Sequence, residues 1–201
     1  SGCPDEPSVT TSITQGMNRS VLVEWRCIDG GQFEMGRADG AAEESVVHTV
    51  TVPTFWIMKT EVTVAQYENC VFAGECEAPR EGQGFNWRVM GKEGHPINGV
   101  SWIDARQFAD FAAQGGAVDT RLPSEAEWEF AARSRGTNAL YPWSDEVTER
   151  LRQPNPMRDE NKCDIVNLST IGDDCGSETR PPCQGEASLQ GLCDLIGNVS
   201  E

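Results

Sequence analysis

Basic residues are scarce in this chain of 201 residues. The 16 Lys and Arg residues stand against 32 Asp and Glu residues, so the formal net charge is −16 at pH 7. A field of this sign repels a phosphate backbone, and no cluster of Lys and Arg reverses it locally. The composition therefore excludes nucleic acid as a partner.

Long hydrophobic runs are also absent. The longest apolar stretches are short, such as those at 21–23 and 55–58, whereas a membrane-spanning helix needs about 20 apolar residues. We therefore expect no transmembrane segment. With 38% hydrophobic residues, the length fits one globular domain or one domain with a short tail.

Cysteine and histidine patterns that bind metal are missing. His48 and His95 are the only histidines, and no two cysteines have the C-x2-C or C-x4-C spacing that brings two ligands to one ion. Eight cysteines in a domain of this size then indicate disulfides and an oxidising compartment. Cys70 and Cys76 are close enough in sequence to close a small loop at a helix end.

The other disulfide partners stay open. Four cysteines fall in a stretch rich in Gly, Asp and Pro, where disulfides would replace a weak core: Cys163, Cys175, Cys183 and Cys193. Cys3 has two interpretations. It forms a disulfide with Cys27, or it carries a lipid anchor, because Ser-Gly-Cys at 1–3 is typical of the end of a bacterial lipoprotein signal.

Two regions are expected along the chain. Residues 1–20 have few large apolar side chains and are predicted to be a tether, and residues 21–201 are predicted to form the domain. Alternation of apolar residues predicts strands at 21–27, 46–52 and 55–58, the last two being separate or one bent strand. The turn Gly30-Gly31 predicts a hairpin that leads into residues 33–35.

Three helix starts are predicted by the same capping pattern, a hydroxyl side chain followed three residues later by an acid or amide. They are Thr63 with Gln66, Ser101 with Asp104, and Ser124 with Glu127. Beyond residue 142 no regular periodicity is found. Irregular regions of this length are usually functional or held by disulfides and ions.

Six segments resemble, in order, the motifs of the formylglycine-generating enzyme (sulfatase-modifying factor) family. They are GQFEMG (31–36), EVTVAQY (61–67), HPINGVSWIDA (95–105), RLPSEAEWEFAAR (121–133), YPW (141–143) and GLCDLIGNVSE (191–201). The resemblance implies an α/β (α+β) domain of the C-type-lectin-like, formylglycine-generating-enzyme variant type, poor in regular secondary structure. The disulfides expected above would hold it together.

The resemblance also implies a chemistry. The parent activity is the copper- and O2-dependent oxidation of a sulfatase cysteine to formylglycine, and other members are surface lipoproteins. In the enzymes the copper-binding cysteine pair lies downstream of the last motif, where this chain ends, and Ser200 replaces a groove-lining Trp. We therefore expect an exported bacterial protein, periplasmic or at the cell surface, that is inactive as given. Copper would bind only if a missing C-terminal part supplied a cysteine pair.

A different class of function remains open. The chain is alternatively a non-catalytic C-type-lectin-like binding module that recognises a peptide, a glycan or a surface partner. Family membership fixes the fold better than the reaction.

Calcium is the expected cofactor. The resemblance implies a Ca²⁺ site at the carboxylates of Asp194 and Glu201 with the carbonyls of Gly197 and Val199, and hard oxygen ligands suit this ion. The alternative is a solvated acidic turn capped by Asn198.

A second Ca²⁺ site is expected in the acidic loop at 164–174. It would use Asn167 and Leu168, with an acid from Asp173 or Asp174. The alternative is an acidic loop held by disulfides without an ion.

Further polar and aromatic residues have a structural interpretation beside a functional one. Trp87 and Arg88, with Ser200, could line a binding groove, or Trp87 could fold back onto the core. Arg121 and the acids at 125–129 are interpreted as capping residues rather than as acid/base catalysts. His95 is interpreted as a packed imidazole.

Overall fold

The computed structural model describes residues 2–14, 20–38, 46–114, 120–137, 141–152 and 178–199. The architecture is mixed α/β with little regular secondary structure, which confirms the predicted fold class. The elements in chain order are β1 (Ser8–Thr14), β2 (Ser20–Ile28), β3 (Gly31–Met35), β4 (His48–Val52), β5 (Phe55–Met58), α1 (Val64–Ala73), α2 (Trp102–Gln114), α3 (Glu125–Ala132) and α4 (Asp145–Arg152).

The strands form two antiparallel sheets. One sheet has the order β1-β2-β5 and the other pairs β3 with β4. Strand β2 pairs with β1 from Ser8 opposite Arg26 to Thr14 opposite Ser20. Residues 48–52 and 55–58 are therefore separate strands, and they belong to different sheets.

The predicted hairpin at Gly30-Gly31 is wrong. Strand β2 pairs with β1 and β5, whereas β3 pairs with β4. Gly30 instead allows two backbones to cross closely, because a Cβ at this position would lie 2.6 Å from the carbonyl carbon of Pro53 and from the nitrogen of Thr54. The Gly30 N–H donates to Thr54 Oγ1 at 3.2 Å, which ties the crossing together.

The N-terminal segment differs from the tether that its composition predicts. Residues 8–14 form β1, an edge strand of the three-stranded sheet. Cys3 forms a disulfide with Cys27, and its N–H donates to Asp29 Oδ1 at 2.6 Å. A lipid thioether would need the same sulfur atom, so of the two interpretations of Cys3 the structure favours the disulfide.

All three predicted helix starts are present. Thr63 and Ser124 each form a complete capping box at the start of α1 and α3. At α2 the N–H of Ser101 donates to Asp104 Oδ2 at 2.6 Å, and the N–H of Asp104 donates back to Ser101 Oγ at 3.3 Å. Helix α4 was not predicted, although Ser144 caps it by accepting from the Val147 N–H at 3.4 Å.

Two main apolar clusters form the core. The larger lies between β2, α1 and α2 and includes Val23, Tyr67 and Phe111. The smaller joins β3 and α3 through Phe33 and Phe130, whose rings meet edge to face at 5.4 Å. Leu192, in the segment that follows α4, belongs to the smaller cluster.

The described helices include none that is both long and apolar enough to span a bilayer. This finding agrees with the short apolar runs of the sequence.

Candidate functional site

Residues 178–199 form an irregular segment that is anchored on the core at several points. The Cys183–Cys193 disulfide closes its middle. Leu192, 1% exposed, packs in the smaller apolar cluster, and the Cys193 N–H donates to the carbonyl of Lys59 at 2.9 Å. Residues 191–199 of the last family-like motif are thereby held beside the end of β5.

The side chain of Asn198 joins the two ends of this segment. Its Oδ1 accepts the Arg180 N–H at 2.9 Å and its Nδ2 donates to the Arg180 carbonyl at 3.1 Å. The same Nδ2 donates to Glu61 Oε2 at 3.0 Å. Asn198 has a φ of 61°, a left-handed conformation that Asn tolerates better than most residues. We call Glu61, Arg180 and Asn198 the C-terminal clamp.

A second polar cluster fixes the entry to the segment. The buried Asn86 donates from Nδ2 to the Pro96 carbonyl at 2.7 Å and to Thr179 Oγ1 at 2.8 Å. Thr179 Oγ1 also shares a hydrogen bond with His95 Nδ1 at 3.0 Å. The irregular stretch between α1 and α2 thus meets the start of residues 178–199 at one threonine hydroxyl.

The surroundings of His95 favour its neutral form. Burial, followed by the nearby Lys92 ammonium, lowers the pKa of His95, against the opposing effects of Thr179, Glu178 and Glu93. Lys92 itself forms an ion pair with Glu178 at 2.9 Å. The ring has the environment of a packed imidazole, as the sequence analysis expects.

The clamp and the role of Thr179 were not predicted from the sequence. Asn198 was interpreted only as a capping residue, and Glu61 was not singled out. A Gly-Asn pair in an irregular stretch was the available signal for a left-handed turn, but nothing in the sequence identifies a partner 137 residues away.

The groove interpretation of Trp87 is corrected by the structure. The indole is 4% exposed and meets the Tyr67 ring edge to face at 6.1 Å, so it belongs to the larger apolar cluster. Arg88 is exposed at the surface, where its guanidinium lies 5.8 Å from the Trp87 ring centroid and pairs with Glu81 at 3.1 Å. Ser200, the third groove candidate, lies outside the described residues.

Arg121 and Glu127 form a structural pair at the start of α3. Two guanidinium nitrogens contact the two carboxylate oxygens at 2.7 Å each, and Glu127 Oε2 also accepts the Ser124 N–H at 2.8 Å. The Arg121 hydrogen bonds, with those from Ser124, lower the pKa of Glu127 to about 2. A carboxyl that is ionised so firmly is a poor proton donor near neutral pH.

The comparisons with known proteins identify the family. The family model of the sulfatase-modifying factor enzyme 1-like domain matches residues 14–201. The chain belongs to this family. All six motifs quoted above lie within the match.

Relatives of the sulfatase-modifying-factor family differ in length and in name. A protein named serine/threonine-protein kinase Pkn1, from Chlamydia trachomatis serovar L2, is 29% identical over 198 residues, covering 90% of this chain and 28% of that protein. A formylglycine-generating enzyme of Mycobacterium tuberculosis is 27% identical, covering 90% of this chain and 73% of that enzyme. The chain thus spans less than a third of the kinase-named relative.

A solved structure supports the fold. Treponema denticola variable protein 1 matches with a TM-score of 0.66 and 21% identity, covering 96% of this chain and 75% of that chain. At this identity the likeness concerns the fold alone.

The copper chemistry of the family does not fit the described cysteines. All six are disulfide-bonded, as Cys3–Cys27, Cys70–Cys76 and Cys183–Cys193. Copper(I) prefers thiolates, which a disulfide does not provide. Among all the residues that the structure describes, no group of three or more His, Cys, Asp and Glu side chains is placed so that it could hold a metal ion.

Three of the four residues named for the first calcium site are described. Asp194 is half-buried and accepts the Cys183 N–H on Oδ2 at 2.7 Å. Burial raises the pKa of Asp194, and no Lys, Arg or His in the described ranges forms an ion pair with it. Gly197 has a φ of 97°, so the chain turns between Asp194 and Val199.

Several predicted site residues lie outside the described part of the chain. They are Glu201 of the first calcium site, all of the second calcium site (Asn167, Leu168, Asp173 and Asp174), and Cys163 and Cys175.

Proposed function

We propose that the chain is the scaffold of a formylglycine-generating-enzyme-type domain of an exported protein, and that these 201 residues do not oxidise cysteine by themselves. In this proposal the scaffold holds the motif at 191–201 in place for chemistry or recognition. The observation that carries the proposal is the disulfide bonding of all six described cysteines. Disulfides also support an oxidising compartment.

Calcium is proposed to stabilise the end of this scaffold. The carboxylate of Asp194 is partly removed from water, and no described cation offsets its charge. Removing an ionised carboxylate from water is costly unless a cation compensates it. Oxygen ligands from Asp194, Gly197, Val199 and Glu201 would hold Ca²⁺, which stabilises a fold by binding to the folded state alone.

The test of the proposal is copper-dependent oxygen consumption with a Cys-x-Pro-x-Arg peptide. The 201-residue chain, purified from an oxidising compartment, should consume no oxygen above the copper blank. The Mycobacterium tuberculosis relative, assayed beside it, is the positive control. Peptide-dependent turnover by the 201-residue chain would overturn the proposal.

A binding module is the second candidate function. Trp102 and Ile103, at the start of α2, are 66% and 64% exposed. The Arg106 guanidinium lies 5.8 Å from the Trp102 ring centroid, so an aromatic surface and a cation are presented together. Such a surface suits an aromatic or anionic group of a peptide, glycan or protein partner.

This second function is tested with Trp102→Ala against Phe72→Ala. Phe72, on α1, is 61% exposed and provides a matched control for the loss of an exposed ring. On peptide and glycan arrays, only Trp102→Ala should lose the signal of the unaltered chain. Equal retention or equal loss by the two variants would argue against recognition through α2.

A further inference from the structure

Strand β1 has one edge without a partner strand. It pairs with β2 along its full length, and within the described ranges no strand lies on its other side. An exposed edge of this kind presents a row of N–H and C=O groups that can template another strand.

The backbone groups on the free edge can be identified. The Cys27 N–H donates to the Pro7 carbonyl at 2.8 Å, so these two residues form a hydrogen-bonded pair of the antiparallel ladder. Because such pairs alternate, residues 9, 11 and 13 direct their backbone groups toward β2. The backbone groups of Ser8, Thr10, Ser12 and Thr14 therefore point away from the sheet.

The edge carries none of the usual protection. Natural sheets block edge pairing with charged residues, Pro or bulges. The sequence of β1, SVTTSIT, contains no charge and no Pro, and its register against β2 is continuous from residue 8 to residue 14. This uncharged strand belongs to a chain with a net charge of −16.

We propose that β1 is a self-association surface, on which β1 of a second copy pairs antiparallel about Thr11. In this register Ser8 lies opposite Thr14 and Thr10 lies opposite Ser12, so every outward-facing residue meets an outward-facing residue. A shift of one residue would place outward groups opposite inward ones. Centring the pair on Thr10 or Ser12 would leave fewer matched residues.

A second copy fits this edge because the strand is complementary to itself. The two copies would form one continuous sheet around a two-fold axis, the commonest symmetry of protein dimers. An interface of one strand from each copy is small, so the dimer is weak and transient. Two chains of net charge −16 repel each other, and salt screens this repulsion.

The variant Thr10→Pro tests the edge directly. It removes an outward N–H while leaving the β1–β2 bonds intact, and edge strands tolerate Pro at such positions. Thr10→Ser is the matched control, because it keeps the N–H. Sedimentation of the 201-residue chain should give a mass rising from 22.0 kDa toward twice that value with concentration, more readily at high salt. Thr10→Pro should weaken association at least about tenfold.

Residue-resolved hydrogen exchange provides the second measurement, which does not depend on the variant. The amides of Thr10 and Ser12 should gain protection as concentration rises, whereas those of Val9 and Thr11 should be protected throughout. A chain that stays monomeric at millimolar concentration overturns the proposal. So does a dimer in which Thr10 and Ser12 gain no protection. Protection of these two amides in a monomer would mean that another segment of the chain covers the edge, and would also overturn it.

Discussion

Replacing Glu127 by Gln should destabilise the protein in a manner that depends on pH. Glu127 is 4% exposed, and its carboxylate accepts hydrogen bonds from Arg121 and Ser124. These bonds lower its pKa from 4.5 to about 2. A carboxyl with a lowered pKa stabilises the folded state above pH 4.5, and this stabilisation is lost as the pH falls from 4.5 toward 2.

The magnitude follows from the gap between the two pKa values. A gap of ~2.5 pH units corresponds to an upper bound of about 3.4 kcal/mol, at ~1.36 kcal/mol for each unit. The Arg121 side chain is 63% exposed, so water and salt screen much of the attraction. We therefore expect Glu127→Gln to lower the free energy of unfolding by about 1–2 kcal/mol at pH 7.

The assay is urea unfolding of both proteins at several pH values from 7 to 2. The difference in unfolding free energy should shrink below pH 4.5 and fall to a few tenths of a kcal/mol near pH 2, where about half of the Glu127 carboxyls are protonated. The matched control is Glu125→Gln, which removes the same charge from the first turn of α3 at an exposed position. Glu125→Gln should lower the free energy of unfolding by only a few tenths of a kcal/mol. Equal losses of unfolding free energy for the two variants, or a loss for Glu127→Gln that is as large at pH 2 as at pH 7, would refute the reasoning.

Three other outcomes concern the cofactor, the disulfides and the clamp. Removal of calcium by a chelator should lower the Tm by about 5–10 °C from its value at a calcium concentration of about a hundred times Kd. Asp194→Ala should abolish this shift. Equal Tm values with and without chelator would contradict the proposed site. Non-reducing peptide mapping should recover Cys70 linked to Cys76, and free thiols at both positions would exclude the pair. Glycine tolerates the φ of 61° at position 198, so Asn198→Gly removes the side-chain amide without straining the backbone. This variant should lower the free energy of unfolding in urea by about 2 kcal/mol. An unchanged urea midpoint would count against the clamp.

The local signals of the sequence predict the helix starts well. Thr63 and Ser124 cap helices because their hydroxyl groups and the side chains three residues later satisfy orphan backbone donors within one turn. The same holds for the loop between Cys70 and Cys76, whose Cα atoms lie 5.2 Å apart. At these positions both partners lie within six residues of each other, so the local sequence identifies both.

The wrong predictions arise where distant segments decide the structure. Gly30 and Gly31 have the composition of a hairpin turn, but the chain at 52–54 crosses against Gly30 and directs β3 to another sheet. Residues 8–14 have the composition of a tether, yet β2 provides a full partner strand. The propensity of a strand is decided largely by its neighbours.

Only part of the proposed calcium site can be compared with the prediction from the sequence. Asp194 and Gly197 were named from the resemblance, and the structure places them in one turn with a half-buried carboxylate. The clamp of Glu61, Arg180 and Asn198 was missed because its polar atoms come from segments that are far apart in sequence. Such partners leave no periodicity or spacing by which a single sequence could identify them.

The family motifs contact one another in the folded chain. Arg133, in the motif at 121–133, donates to the Glu34 carbonyl in the motif at 31–36, at 2.8 Å. The motif at 61–67 pairs with that at 95–105 through the Ile97 N–H and the Val62 carbonyl, also at 2.8 Å.

The last motif also contacts another motif, since Asn198 donates a hydrogen bond to Glu61, which lies 137 residues earlier in the sequence. These motifs hold one another in place by hydrogen bonds to backbone carbonyls and to the Glu61 carboxylate, which are the requirements of a scaffold. A match to all of them therefore establishes the fold, and a protein can retain every such contact while its chemistry changes. For this reason the activity of the chain has to be tested at its cysteines and at the proposed calcium site, rather than inferred from the motifs that define the family.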